Sequence, residues 1–98
     1  MKYKIVPQKL ALQDFNGILK YLLQFSTNAP RKFSMEYKRL TKLLKDSPYL
    51  FERYKYNAAY RKMVIFDYIA FYKVDEENKH IKIYRILHGA QDIEQIFE

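Results

Sequence analysis

Tyr84 and His88 are two side chains of the sequence that could together move protons. They stand four residues apart in a run that alternates as a β-strand does, so the pattern places both on one face of a strand. Histidine changes charge near neutral pH, which suits a base, and tyrosine could supply the acid. We favour a plainer interpretation, in which His88 ends the strand and satisfies local hydrogen bonds.

Three basic side chains, those of Arg61, Lys62 and Arg85, lie in segments that are also typical of strands. A fixed cation can hold a phosphate and stabilise the negative charge that develops on it. The same groups could equally contact the carboxylates of a protein, because a surface arginine alone does not distinguish these roles. The formal net charge of +7 favours an anionic partner, such as nucleic acid, a ribosome or an acidic protein segment, although a merely soluble basic protein would carry it too.

The composition excludes several other kinds of site. Without cysteine there is no disulfide, thiolate zinc site or cysteine nucleophile, which suits a reducing cytoplasm. Two histidines, His80 and His88, are too few for a histidine-rich metal site, and we expect neither a metal nor a cofactor. No apolar run has the length of a secretion signal or a membrane span, so we expect a cytoplasmic protein without membrane contact.

The elements that position these residues are expected to form one α+β domain, for which a hydrophobic fraction of 49% supplies a core. A strand over residues 2–6 leads into an amphipathic helix over residues 8–25, with Leu19 and Leu22 among its apolar side chains. Gly17 lies within this helical period, and we expect it to let a neighbouring element approach closely.

A second amphipathic helix is predicted from Pro30 to about Lys45. Thr27 or Asn28 can cap its first amides, and Asp46-Ser47-Pro48 ends it. The side opposite its apolar stripe carries four cations, which could form an electrostatic binding surface; we favour the alternative of an ordinary solvated face. These cations are Arg31, Lys38, Lys42 and Lys45.

The second half of the sequence predicts three strands and a short helix. The strands cover residues 60–65, 68–74 and 80–87, and the hairpin-length links between them make them antiparallel. A tyrosine-rich connection over residues 49–59 could fold over the sheet, and residues 92–98 should form a short helix or tail. The predicted fold is therefore β-α-α-β-β-β, an antiparallel sheet with the helical pair packed on one face.

Several segments occur in a recognisable order along the chain. They are Asp46-Ser47-Pro48, Tyr60-Arg61-Lys62-Met63-Val64, Tyr68-Ile69-Ala70-Phe71-Tyr72-Lys73-Val74, Ile83-Tyr84-Arg85-Ile86-Leu87-His88-Gly89 and Asp92-Ile93. In this order and at these spacings, the sequence resembles the RelE/ParE family of type II toxin–antitoxin systems over nearly its whole length. The resemblance implies a single toxin domain over residues 1–98, an antiparallel sheet under paired helices, a cytoplasmic location and a cognate antitoxin as partner.

The family that the sequence resembles divides by mechanism, and one branch cuts RNA. RelE-like members cleave messenger RNA in the ribosome with lysines on the strand before the central one, an arginine in the central strand, and basic and tyrosine residues after the last strand. Arg61 and Lys62 match the first of these positions. The other three positions hold Ile69, Gln91 and Phe97, none of which can carry the charge or proton that cleavage needs.

ParE-like members lack the cutting residues and poison DNA gyrase. The segment from Arg85 to Gly89, followed by Asp92, resembles this branch more closely. Many ParE-like members carry an arginine before the aspartate, where this chain has Gln91, so a contact through that arginine is missing from the pattern. The sequence therefore favours a growth-inhibiting toxin that binds gyrase rather than an enzyme.

Two alternatives remain beside the gyrase-binding toxin. The first is a ribosome-dependent mRNA endoribonuclease, and the second is a small basic nucleic-acid-binding protein. In the first case the catalytic residues would be Arg61, Lys62, Tyr84 and His88. In either toxin, the antitoxin should be a segment that folds on binding to apolar and basic surface. The residues predicted to contact the target or the antitoxin are Arg61, Lys62, Arg85, His88, Asp92, Leu19 and Leu22.

Overall fold

The computed structural model describes residues 2–97, and its elements follow the order that the sequence predicted. Predicted and observed boundaries differ by two residues or fewer. The predicted last helix included Glu98, which lies outside the described residues, as does Met1. The elements are β1 (Lys4–Pro7), α1 (Lys9–Leu23), α2 (Asn28–Asp46), β2 (Arg61–Ile65), β3 (Tyr68–Asp75), β4 (His80–His88) and α3 (Ile93–Ile96).

The four strands form one mixed sheet in the order β1-β4-β3-β2. The strands β2, β3 and β4 are antiparallel, as the short links between them predicted. β1 is parallel to β4, with Ile5 beside Ile81, so the sheet is not antiparallel throughout. Both helices lie between β1 and the other strands in the chain, and this long connection lets β1 join the sheet in the parallel direction.

The helical pair covers one face of the sheet, as predicted. Phe33, Leu40 and Leu44 of α2 are buried in one cluster with Met63 and Ile83 of the sheet. Burying each such side chain contributes on the order of 1.5–3 kcal/mol, so this helix-side core supplies much of the stability. None of the helices α1, α2 and α3 is long and apolar enough to cross a membrane.

The tyrosine-rich connection and α3 cover the other face of the sheet with aromatic rings. The ring of Tyr54 packs edge-to-face on Phe71, with 4.9 Å between their centroids, and the ring of Phe97 lies at the same distance from Phe71. The backbone N–H of Tyr54 donates to the carbonyl of Tyr60 at 2.8 Å, which fixes the connection over the strands. The connection therefore folds over the sheet, as predicted, and forms with α3 an aromatic cluster.

A β-bulge at Tyr84 changes which residues of β4 face the helices. Phe71 pairs with Arg85, but Tyr72, the next residue of β3, pairs with Ile83, so Tyr84 has no partner of its own in the pairing of these two strands. An extra residue in one strand reverses the alternation of side chains beyond it. Before and after the bulge, the side chains of β4 therefore alternate between the two sheet faces in opposite phase.

The prediction that Tyr84 and His88 share a face is wrong. The ring of Tyr84 lies 5.1 Å from that of Tyr60 and 5.5 Å from that of Phe97, within the aromatic cluster. The ring of His88 lies 5.2 Å from that of Tyr68, which belongs to the helix-side core. The bulge explains the error, because a strictly alternating strand would have placed both rings on one side.

A neighbouring element approaches closely at Gly89 and not at Gly17. A Cβ at Gly17 would meet nothing within 4 Å among the described residues, so the predicted close approach at this position is wrong. Gly89 is a true close approach: its N–H donates to the carbonyl of Asp67 at 2.8 Å, and a Cβ there would lie 3.3 Å from the same oxygen.

Candidate functional site

A groove of about 580 Å³ lies between α1 and the last residues of β4. β1 pairs with β4 as far as Ile83, and from there the edge of β4 faces α1 instead of a strand. Gly17 keeps the helix side of the groove open, because no side chain stands at that position. The polar and aromatic lining consists of Gln13, Asp14, Tyr21, Tyr68, Arg85, His88 and Gln91.

Asp14 joins α1 to the open edge of β4. Its carboxylate accepts two hydrogen bonds from the guanidinium of Arg85, at 2.7 and 3.0 Å, and one from the backbone N–H of Ile86 at 2.9 Å. The side chains of Arg85 and Asp14 are only 21% and 16% exposed. The hydrogen bond to Asp14 raises the pKa of Arg85, which keeps the guanidinium charged. Asp14 thus protects a strand edge and holds Arg85 in one orientation.

His88 ends β4 in local hydrogen bonds, which agrees with the interpretation that we favoured from the sequence. Its Nδ1 accepts from the N–H of Ala90 at 3.0 Å, and its backbone N–H donates to Oε1 of Gln91 at 2.9 Å. A neutral ring with an accepting Nδ1 carries its proton on Nε2. Nδ1 is therefore occupied, and Nε2 has no hydrogen-bond partner within residues 2–97.

Arg61 and Lys62 lie on β2, at the opposite edge of the sheet from the groove. Nη1 of Arg61 donates to the carbonyl of Phe51 at 2.8 Å, and the guanidinium lies over the ring of Tyr49 at 5.0 Å from its centroid. Nζ of Lys62 lies 3.3 Å from a carboxylate oxygen of Glu52. Because β3 separates β2 from β4, these cations start about 10 Å from the strand that lines the groove. They hold the tyrosine-rich connection and are not brought together with the groove residues.

Comparison with known proteins identifies the family. The protein-family model of the ParE toxin of the type II toxin–antitoxin system parDE matches residues 5–93. The chain belongs to the ParE toxin family of type II toxin–antitoxin systems. No curated protein sequence matches the chain significantly.

Solved structures of ParE and RelE toxins share the fold. The chromosomal ParDE system of P. aeruginosa matches with a TM-score of 0.70 and 17% identity, over 89% of this chain and 96% of that one. A mutant of the E. coli toxin RelE in the free state matches with a TM-score of 0.72 and 12% identity, over 98% and 93%. The RelBE2 toxin–antitoxin complex of Mycobacterium tuberculosis matches with a TM-score of 0.59 and 17% identity, over 90% and 99%.

In this member of the ParE family, the positions that the RelE resemblance assigned to chemistry serve the structure. Ile69 packs against the aromatic cluster. The ring of Phe97 lies within 5.5 Å, centroid to centroid, of four other rings. Oε1 of Gln91 accepts the backbone N–H of His88. These three side chains therefore make packing contacts and a local hydrogen bond, and none can replace a catalytic acid, base or cation.

The other residues predicted for binding do not line the groove. Leu19 and Leu22 are half-buried against the helix-side core, so the fold already uses part of their surface. Asp92 precedes α3 and makes no capping hydrogen bond to it. Their contact with a partner stays a prediction, as do the contacts predicted for the basic residues of β2 and β4.

The sequence analysis missed Asp14, Tyr21 and Tyr68 as groove residues. Asp14 could have been found, because it is the single carboxylate in the sequence of α1. Tyr21 is 51% exposed and Tyr68 is buried, and nothing in their spacing distinguished them from ordinary core positions.

Proposed function

We propose that this ParE family toxin inhibits growth by binding DNA gyrase in the cytoplasm without catalysing a reaction, and that a cognate antitoxin neutralises it. The observation that carries the proposal is the aromatic cluster. It fills the face of the sheet where the RelE resemblance would put proton-moving side chains, with Phe97 and Ile69 at two of those positions. Neither of these two side chains carries a charge or a transferable proton, so these positions cannot serve cleavage.

The chemistry of RNA cleavage supports the same conclusion. A base, an acid and a phosphate-binding cation must converge on one phosphate. Tyr84 and His88 lie on opposite faces of the sheet. Arg85 is held by Asp14, and Arg61 donates to a backbone carbonyl. Arg85 and His88 both line the groove, but Tyr84, Arg61 and Lys62 lie elsewhere, so the groups that the sequence offered for cleavage do not converge.

The groove beside α1 is the surface that suits a protein target. Protein interfaces are enriched in tyrosine and arginine and are anchored in pockets. Tyr21 stands half-exposed at this groove, beside Arg85 and the open space over Gly17. Solved neighbours include toxin–antitoxin complexes, which supports an antitoxin as a second partner. We expect that antitoxin to fold onto the toxin as it binds.

The direct test is a supercoiling assay with purified gyrase and purified toxin. The wild-type protein should block supercoiling or trap gyrase on DNA, and Tyr21→Ala should weaken the effect at least tenfold. Tyr56→Ala is the matched control, because Tyr56 is 58% exposed, similar to Tyr21 at 51%, but lies in the tyrosine-rich connection. This control should act like the wild type.

Parallel readouts separate the proposal from its alternatives. Gyrase that stays fully active at saturating toxin would remove the proposal. Transcripts cut within codons during induction, and left intact by Arg61→Ala with His88→Ala, would instead establish an endoribonuclease. Induction with no growth arrest, with or without the neighbouring gene product, would contradict a toxin altogether.

A further inference from the structure

The outer face of α2 carries a row of cations that neither the fold nor the proposed function uses. At about 100° per residue they fall within a sector of about 60°, and they span about 21 Å along the helix. The opposite face of α2 packs into the helix-side core. The row consists of Arg31, Lys38, Lys42 and Lys45, all of them exposed.

Carboxylates do not neutralise this row within residues 2–97. The acidic residues of α2 are engaged elsewhere: Glu36 binds Arg39 at 2.7 Å, and Asp46 lies 4.0 Å from Lys2. Lysines three and four residues apart on a helix repel one another, which costs the helix stability. The row therefore weakens the element that carries it, and a partner that neutralises it would remove that cost.

We propose that this row binds the sugar–phosphate backbone of duplex DNA. Duplex DNA carries about one phosphate per 3.4 Å of helix axis on each strand, so about six phosphates of each strand lie within an axial length equal to that of the row. Lysine suits this contact, since it acts as a point charge and needs no paired acceptors, whereas bidentate recognition calls for arginine. Three of the four cations are lysines.

The spacing of the row favours nucleic acid over an acidic protein segment. The cations follow one another at intervals of seven, four and three residues, so their separations along the helix are unequal. A protein partner would need carboxylates placed to match these separations. A DNA strand meets them in any register, because its charge is nearly uniform along its length. Four such contacts would provide binding without sequence preference.

The test measures binding of the purified toxin to a labelled mixed-sequence duplex by fluorescence anisotropy, at several salt concentrations. Four phosphate contacts predict a slope of log affinity against log salt of about −3.6. The variant Lys38→Gln/Lys42→Gln/Lys45→Gln should flatten that slope by about 2.7 and lower the affinity more than tenfold at low salt. Glutamine keeps the helix propensity of lysine, and circular dichroism checks that the helix persists.

A matched variant controls for the loss of net charge. Lys9→Gln/Lys20→Gln/Lys55→Gln also removes three exposed lysines, so both variants go from a net charge of +7 to +4. The control lysines lie on α1 and in the tyrosine-rich connection, and none of them lies on α2. The control should bind DNA within about twofold of the wild type and keep most of the salt slope.

Two other results would overturn the proposal. Equal losses in the two variants would mean that binding follows net charge and not the row. Wild-type DNA binding by the row variant, together with its loss of binding to a polyglutamate peptide, would assign the row to an acidic protein. The assay contains no gyrase, so its outcome is independent of the gyrase proposal.

Discussion

The two faces of the sheet are covered by different kinds of structure. Regular helices cover one face, and side chains such as Phe33 and Leu44 are completely or almost completely buried beneath them. An irregular connection and a one-turn helix cover the other, where Phe97 remains half-buried among other rings. Among residues 2–97, thirteen residues are buried in the helix-side core, against three in the aromatic cluster. Stability should therefore be concentrated on the helix side.

Emptying one aromatic site on each face tests this difference directly. Phe33→Ala should lower the free energy of unfolding by about 4 kcal/mol, because it empties a fully buried site. Phe97→Ala should cost about 2 kcal/mol, since its ring is partly exposed before the change. Urea unfolding followed by circular dichroism measures both. A loss for Phe97→Ala as large as that for Phe33→Ala would mean that the aromatic cluster is as important as the helix-side core.

A second prediction concerns the groove edge, where α1 meets β4. Asp14→Ala should cost about 2 kcal/mol, because it leaves the largely buried Arg85 and the Ile86 N–H without their acceptor. The pair of Glu36 and Arg39 has the same two-bond geometry on the surface, with distances of 2.7 and 2.9 Å. Glu36→Ala should therefore change stability little, because water screens an exposed pair.

Double-mutant cycles on both pairs give the decisive comparison. The cycle on Asp14 and Arg85 should show a clear coupling energy, and the cycle on Glu36 and Arg39 should show almost none. Equal coupling in the two cycles would contradict the view that burial gives the groove pair its strength.

A third prediction is a pH dependence at the far end of the sheet, where Glu76 ties the N-terminal segment to the tyrosine-rich connection. Hydrogen bonds from Tyr3, Tyr49 and Lys79 lower the pKa of Glu76 to about 2, from an ordinary value of 4.5. A lowered carboxyl pKa adds stability above the ordinary value, and that stability is lost as the pH falls toward 2. Unfolding midpoints should therefore drop between pH 4.5 and 2.

The matched variants for this effect are Glu76→Gln and Glu77→Gln. Glu76→Gln should flatten the acid dependence of the unfolding midpoint, because an amide does not titrate in this range. Glu77 is an exposed neighbour, and its replacement should leave the wild-type profile in place. Identical profiles for the wild type and Glu76→Gln would show that these hydrogen bonds do not couple to folding.

Features set by neighbouring residues could be predicted from the sequence, and features set by contacts between distant parts of the chain could not. Helical periodicity and strand alternation are local signals, so α1, α2 and the antiparallel strands were predicted closely. The parallel direction of β1 depends on a long connection, which carries no local signal of this kind. The bulge at Tyr84 is decided by pairing with β3, and it separated that residue from His88. The groove depends on contacts between α1 and β4, residues about 70 positions apart, such as Asp14 with Arg85.

A fourth prediction, of a small change in stability, concerns the turn between β2 and β3, which belongs to neither covered face. Phe66 has a φ of 54° and is 61% exposed. A left-handed backbone strains a bulky residue, whereas glycine adopts it freely at some cost in entropy. Phe66→Gly should therefore raise the free energy of unfolding slightly, by about 0.5 kcal/mol. A clear loss of stability would show instead that the ring supports the fold, for which the cavity that it lines with Leu22 and Phe33 is the nearest apolar surface.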